Sequence, residues 1–215
     1  MQIYLIRHGN MAGDPHRHFV PPVEGCLSEK GLLQANRLGR ALEGVKFDAV
    51  YASPLGRAIQ TAQSFAEPQG IQINILPWLI EWRPAHILNG GDEANYEAML
   101  TSASALRPEE SWKTEAGEGA FEMANRIVPG WLKVLSRHGV RAGHGGYLLE
   151  NREDAQKIAL VAHGGSLCVL LAFILGIPFQ PFAPVQFAET GVAVIDFVQR
   201  LDVWYPAIKI PPPYA

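Results

Sequence analysis

Ile3-Tyr4-Leu5-Ile6 is a nearly continuous apolar run, and Arg7-His8-Gly9 follows it without a break. An apolar run that does not alternate is the pattern of a strand covered on both faces, as in a parallel sheet flanked by helices. In open α/β sheets ligands bind outside the carboxyl ends of the strands. Arg7 and His8 are therefore candidates for an anion site by position alone.

The rest of the chain follows the same plan. Ser28 reads as an N-cap with Glu29 in the first turn, ahead of an amphipathic helix over Glu29–Glu43. Asp48–Ala52 reads as a second buried strand. Ser53 is expected to cap a helix over Leu55–Glu67, with Pro54 in its first position. Arg57 then falls in the first turn, where a cation is mildly unfavourable for the helix dipole, and this invites a functional reading. Ile71, Ile73 and Ile75 alternate with polar residues, which predicts a third strand near a sheet edge. Beyond Glu81 the pattern weakens, and about 83–117 reads as an insert covering the site, with a helix over Tyr96–Leu106 and Trp78 and Trp82 packed against it.

Phe121, Ala124, Ile127, Val128, Trp131, Leu132 and Leu135 form a 3.6-residue stripe, with a kink or interruption expected at Pro129-Gly130. Gly139–Asp154, containing His144, reads as a surface loop. Lys157–Ala162 is another continuous apolar strand, followed by His163-Gly164-Gly165 and a core helix over Leu167–Leu175. Gly191–Phe197 is the last expected strand, and the tail from Pro206 reads as an extended surface segment. Strands alternating with helices predict an α/β fold: a three-layer sandwich with a mainly parallel central sheet flanked by helices, over residues 1–215 as one domain.

Composition narrows the function. Of 215 residues, 48% are hydrophobic and 18% charged, which excludes global disorder, and the net charge of −3 lacks the basic footprint of a nucleic-acid binder. Cys26 and Cys168 do not make a disulfide framework. No signal-like or membrane-length apolar segment is evident, so a cytoplasmic protein with no membrane partner is expected. His16 and His18, in a Pro-rich loop, lack a metal-ligand spacing.

Four signals share one chemistry: Arg7-His8-Gly9, Arg57 after Ser53-Pro54, Glu81 after the third strand, and His163-Gly164-Gly165. Two arginines can neutralise a phosphate dianion with forked hydrogen bonds. A neutral imidazole at His8 can attack phosphorus, and neighbouring arginines favour the unprotonated ring. His163 and backbone N–H groups at the following helix start can meet phosphoryl oxygens. Glu81 can protonate a leaving alcohol and then deprotonate water.

Together these segments resemble the histidine phosphatase superfamily, also called the phosphoglycerate mutase-like family. Leu5-Ile6-Arg7-His8-Gly9 is similar to its signature strand end, and Leu27-Ser28-Glu29-Lys30-Gly31 with Gln34-Ala35 to its first-helix pattern. Ala52-Ser53-Pro54-Leu55 with Arg57-Ala58 and Gln60-Thr61-Ala62 resembles the second motif, and Val161-Ala162-His163-Gly164-Gly165 the C-terminal one. The resemblance implies a phosphoglycerate mutase-like fold, His8 as phosphorylated nucleophile, Arg7, Arg57 and His163 as phosphate pocket, Glu81 as proton donor, and no metal or other cofactor. Asn10 and Met11 depart from the Glu, Gln or Asp and the Thr or Ser that usually follow Arg-His-Gly. Glu118 resembles a Gly-Glu-Ser segment without its serine.

The expectation is a phosphatase acting on a small-molecule phosphate monoester, with Asn10 and Gly164 as further substrate contacts. Arg83–Gly117 is short in lysine and arginine, unlike the basic insert that grips phosphoglycerate in the mutases, so mutase transfer ranks second. A non-catalytic phospholigand-binding or interaction domain is the third alternative, disfavoured because binding alone needs no nucleophile.

Overall fold

The computed structural model describes residues 1–12, 26–83, 118–143, 145–150, 156–177 and 186–209. Its elements are β1 (Gln2–Arg7), α1 (Glu29–Ala41), β2 (Ala49–Ala52), α2 (Gly56–Ala66), β3 (Ile73–Ile75), α3 (Ala120–Arg137), β4 (Val140–Gly143), β5 (Gly146–Leu149), β6 (Lys157–Ala162), α4 (Gly164–Leu175), β7 (Val192–Arg200) and β8 (Val203–Lys209). The strands form one sheet in the order β3-β2-β6-β1-β7-β8-β5-β4.

β1 is covered on both faces, as its apolar run predicts. Ile3 and Leu5 join a core cluster with Met123, Ile127 and Trp131 of α3 and Leu167 and Leu170 of α4. Tyr4 and Ile6 join a separate cluster with Leu38 of α1 and Ala58, Ala62 and Phe65 of α2. Each fully buried Ile or Leu contributes roughly 1.5–3 kcal/mol, so the strand that carries Arg7 and His8 is anchored from two sides. The N-terminal end of α1 approaches it closely. Ser28 Oγ accepts from the Gly31 N–H at 3.0 Å, and a Cβ on Gly31 would lie 2.0 Å from the Asn10 carbonyl oxygen. Only glycine fits there.

The sheet is mixed, not mainly parallel. β3-β2, β2-β6 and β6-β1 pair in parallel, but β1-β7, β7-β8, β8-β5 and β5-β4 are antiparallel. β7 has the apolar run of an expected strand, but a run does not show its direction of pairing, and β4, β5 and β8 lack such runs. Gly143, Gly145 and Gly146 read as loop, yet β4 and β5 form a hairpin there. The tail expected from Pro206 belongs, through Lys209, to β8 paired with β7. Among the described residues β8 pairs with β5 only at Tyr147–Trp204, so Pro206 lies on a stretch of β8 that β5 does not pair, where proline is tolerated.

Two helix expectations also change. α3 continues as one helix through Pro129, so of a kink or an interruption there the interruption does not occur. The lost hydrogen bond and ring clash cost about 3 kcal/mol, while Met123, Ile127, Trp131 and Leu135 are fully buried along the same helix and outweigh it. Trp78 packs on this helix at Gly130, where a Cβ would lie 2.3 Å from the indole. α2 begins at Gly56 with Leu55 in the cap position, so Ser53 does not cap it. The Ser53 hydroxyl is used elsewhere. β3 does lie at the sheet edge, as expected. The Tyr96–Leu106 helix, the insert, His16, His18 and His144 lie outside the described residues. No helix among the described residues is long and apolar enough to cross a membrane.

Candidate active site

Sheet order builds the site. β6 lies between β1 and β2, with Arg7 opposite Ala162 and Ala52 opposite Val161. The residues that follow these strand ends, His8, Ser53 and His163, therefore emerge side by side. The His8 N–H donates to the Ala162 carbonyl at 3.0 Å, and the Ser53 N–H to the Val161 carbonyl at 2.9 Å. The two imidazole centroids are 5.0 Å apart. Arg57, in the first turn of α2, completes the cluster.

His8 is held in one tautomer. Its Nδ1 lies 2.6 Å from the Gly9 carbonyl oxygen, which can only accept, so Nδ1 carries the proton. Nε2 is then a lone pair, and it accepts from Arg57 Nε at 3.2 Å. Burial, with Arg57 and then Arg7 adding to it against the Gly9 hydrogen bond and Glu189, lowers the His8 pKa to about 3. The ring is neutral near pH 7 and nucleophilic at Nε2.

His163 is fully buried, with Nε2 2.7 Å from Ser53 Oγ. Burial first, then Arg57, His8 and Arg7, holds its pKa well below the ordinary range. Its Nδ1 and the Nε of Arg7 are buried and have no hydrogen-bond partner among the described residues. Few buried polar atoms are left this way in native folds; Trp131 Nε1 in the core is the other one among the described residues, and these two belong to residues singled out for anion binding. Arg7 Nη1 donates to the Phe187 carbonyl at 2.6 Å, which fixes its guanidinium. Arg57 is buried as well. Burial pulls its pKa down, Glu81 opposes this, and Arg7 adds to it.

Glu81 is brought to the same end of the sheet. Its Oε2 accepts from the Gly165 N–H at 3.1 Å and its Oε1 from the Ser166 N–H at 3.0 Å, so it occupies the positive end of α4. The Trp82 N–H donates to Oε1 at 2.8 Å. Gly165 permits the approach, since a Cβ there would lie 2.6 Å from Oε1. Gly164 has no such need: its Cβ would make ordinary contact with Arg7, 3.7 Å from Cζ.

Asn10 is placed beside the cluster with its amide engaged at both ends. Nδ2 donates to Glu189 Oε1 at 2.7 Å, and Oδ1 accepts from Ser28 Oγ at 2.6 Å. These two partners use two of the amide's four hydrogen-bonding positions. Glu189 also accepts from Gln34 Nε2 at 2.9 Å and pairs with Lys30 Nζ at 3.3 Å. Burial alone would raise the Glu189 pKa, but the hydrogen bonds from Gln34, Asn10 and Lys30 outweigh it and hold the carboxyl below its usual range.

Several residues support the site through contacts that the sequence does not assign to them. Thr61 Oγ1 accepts from the Gly9 N–H at 3.1 Å and donates to the Arg57 carbonyl at 2.7 Å. Its i+4 spacing from Arg57 is a usable signal. The segment before β7 carried none, yet the Phe187 carbonyl holds Arg7, and the Thr190 N–H donates to the His8 carbonyl at 3.2 Å. Thr190 does so at φ +56, a left-handed conformation that strains a β-branched residue. Arg126 and Glu118, behind Glu81, were also missed as supports. Among the described residues no group of three His, Cys, Asp or Glu side chains is arranged to hold a metal ion.

The geometry can accept an anion between two arginines and two neutral imidazoles, opposite a carboxylate. Comparison with known proteins identifies the family. The chain is 30% identical over 207 residues to the adenosylcobalamin/alpha-ribazole phosphatase of Escherichia coli (strain K12), covering 93% of this chain and 92% of that one. It is 27% identical over 206 residues to "Probable phosphoglycerate mutase GpmB" of Erwinia tasmaniensis, with 93% and 86% covered. Its fold matches the crystal structure of the alpha-ribazole phosphatase from Shigella flexneri with a TM-score of 0.75 at 22% identity, over 100% of this chain and 98% of that one. The family model of the histidine phosphatase superfamily (branch 1) matches residues 3–202, and the chain belongs to that superfamily.

Proposed function

We propose that the protein hydrolyses a small-molecule phosphate monoester through a phosphohistidine on His8, with Glu81 as proton donor and then acceptor. The observation that carries this reading is the neutral His8 ring, with its proton held on Nδ1 by Gly9 and its Nε2 lone pair facing Arg57. In the first step the Arg57 Nε–H turns from Nε2 to a phosphoryl oxygen, the freed Nε2 pair attacks phosphorus, the P–O bond to the alcohol breaks, and the departing oxygen takes a proton from the Glu81 carboxylic acid. In the second step the Glu81 carboxylate takes a proton from water and the water oxygen attacks phosphorus. The P–N bond breaks and its pair returns to Nε2. Arg7, Arg57 and His163 bind the phosphoryl oxygens throughout, with the Gly164 N–H at the start of α4 as a further donor. No step calls for a metal.

The names of the two curated relatives differ in who receives the phosphoryl group: one is a phosphatase, the other a probable phosphoglycerate mutase. The likeness to a protein named a phosphoglycerate mutase favours the second reading, transfer back to a phosphoglycerate. A mutase must keep water from the phosphoenzyme, and the basic residues that would grip a phosphoglycerate carboxylate are sparse over Arg83–Gly117. Hydrolysis is therefore the stated reading.

The test is a panel of p-nitrophenyl phosphate, β-glycerol phosphate, sugar phosphates and phosphoglycerates without added metal, using wild type and His8→Ala. Expected are release of inorganic phosphate and a ³²P label on wild type that survives alkali and is lost in acid, both absent from His8→Ala. Phosphate release that persists in His8→Ala overturns the mechanism. Isomerisation of a phosphoglycerate outrunning phosphate release moves the assignment to mutase.

A further inference from the structure

Arg126 lies on α3, one helix away from the phosphate-binding cluster, and its guanidinium is largely buried. A guanidinium has five N–H donors, and here every one is used. Nε donates to Glu118 Oε1 at 2.5 Å and one Nη2 hydrogen to Glu118 Oε2 at 2.8 Å, a two-pronged ion pair. The remaining three reach main-chain carbonyls: Trp78 at 2.6 Å and Ile80 at 2.8 Å from Nη1, and Glu81 at 3.2 Å from Nη2. Glu118 in turn ties down the residues just beyond. Its Oε2 accepts from the Arg83 N–H at 3.2 Å, its own N–H donates to the Arg83 carbonyl at 2.9 Å, and its carbonyl accepts from the Trp82 indole N–H.

These bonds matter because residues 80–83 belong to no helix or strand. Their main-chain groups have no ladder to join, and buried carbonyls need partners. Arg126 supplies the partners, and in doing so fixes the position from which the Glu81 side chain reaches the N–H groups of Gly165 and Ser166. We infer that Arg126, oriented by Glu118, is a positioning residue for Glu81: it holds the peptide that carries the carboxyl group at the distance proton transfer requires. The inference rests on the role proposed for Glu81. The guanidinium makes its hydrogen bonds with main chain and Glu118, and its charge adds a minor part to the lowering of the His163 pKa, which Arg126→Lys preserves.

A positioning role predicts a loss that depends on the leaving group. An alkyl alkoxide needs a proton as the P–O bond breaks, and a p-nitrophenolate does not. The measured quantity is kcat/KM, which reports the steps up to phosphohistidine formation, with β-glycerol phosphate and p-nitrophenyl phosphate as the two probes. Glu81→Gln is measured beside Arg126→Met and Arg126→Lys. Lysine keeps the charge but cannot supply five fixed donors.

Both Arg126 variants are expected to lose about a hundredfold with the alkyl ester, in the range for a displaced general acid, and about threefold or less with the aryl ester. If Arg126→Met does not fold, Arg126→Lys carries the test. An equal loss on both esters, or no loss, while Glu81→Gln is leaving-group selective, overturns the role of Arg126 and leaves that of Glu81 standing. A Glu81→Gln variant without selectivity removes the proton-donor role, and the Arg126 inference falls with it.

Discussion

The two sides of the candidate site are built by different means. The proposed phosphate side consists of residues that end or directly follow buried strands or open a buried helix, and sheet pairing sets their relative positions. His8, Ser53 and His163 are adjacent because β6 pairs with β1 on one side and β2 on the other. The Glu81 side has no ladder behind it. Its carboxyl group is held by N–H groups of α4 and its peptide by the side chain of Arg126. The proposed phosphate side is thus fixed by hydrophobic burial and main-chain pairing, and the proposed proton-transfer side by polar contacts between separate elements. Damage to the first should affect every substrate alike, and damage to the second should depend on the leaving group.

The largest expected effect tests the phosphate side. Arg57→Met removes a buried charge and the N–H that meets His8 Nε2. We expect kcat/KM to fall by roughly a thousandfold, as for removal of one strong donor to transition-state charge, and equally for β-glycerol phosphate and p-nitrophenyl phosphate. A loss confined to the alkyl ester would break the comparison, since it would place Arg57 on the proton-transfer side.

A second expectation concerns stability on the same side. His8 has a pKa of about 3 when folded against an ordinary 6.5. Above pH 6.5 both folded and unfolded chains leave it neutral. As pH falls from 6.5 towards 3 the unfolded chain binds a proton that the folded chain refuses, and stability drops. By pH 5 this amounts to about 2 kcal/mol from His8, with a contribution of the same sign from His163. Urea unfolding of wild type and His8→Ala at pH 7 and pH 5 checks it. The loss between the two pH values should be about 2 kcal/mol smaller in the variant, and an identical loss in both refutes the buried neutral state.

The smallest effect sharpens the Glu81 side. Gly165→Ala puts a methyl group 2.6 Å from where Glu81 Oε1 now sits, and a flexible carboxylate can shift to accommodate it. We expect roughly a tenfold loss with the alkyl ester and little with the aryl ester. Full activity on both would mean that contact with the start of α4 is not needed for proton transfer.

The same division explains what could be read in advance. β1, β2 and β6 were legible because continuous apolar runs mark strands covered on both faces, and the site residues that follow them were legible with them. Gly31 and Gly165 stood out only as glycines, and the reason for each is a contact with Asn10 or Glu81 from elsewhere in the chain. Ser53 was read as a helix cap because Ser-Pro favours that locally. In the fold its hydroxyl meets His163, a partner 110 residues away. β4, β5 and β8 were missed because glycine and proline obscure a pattern that cross-strand pairing overrides.

The sequence by itself determined the local matters: the buried strands, most of the helices, and the residue types that suit phosphoryl transfer. These follow from hydrophobic spacing and side-chain chemistry, which act over a few residues. Tertiary structure alone decided the antiparallel half of the sheet, the His8 tautomer, the attachment of Asn10 to Glu189, and the support of Glu81 by Arg126. Each depends on a hydrogen-bond partner far away in the chain, and such partners are chosen by how the whole core packs.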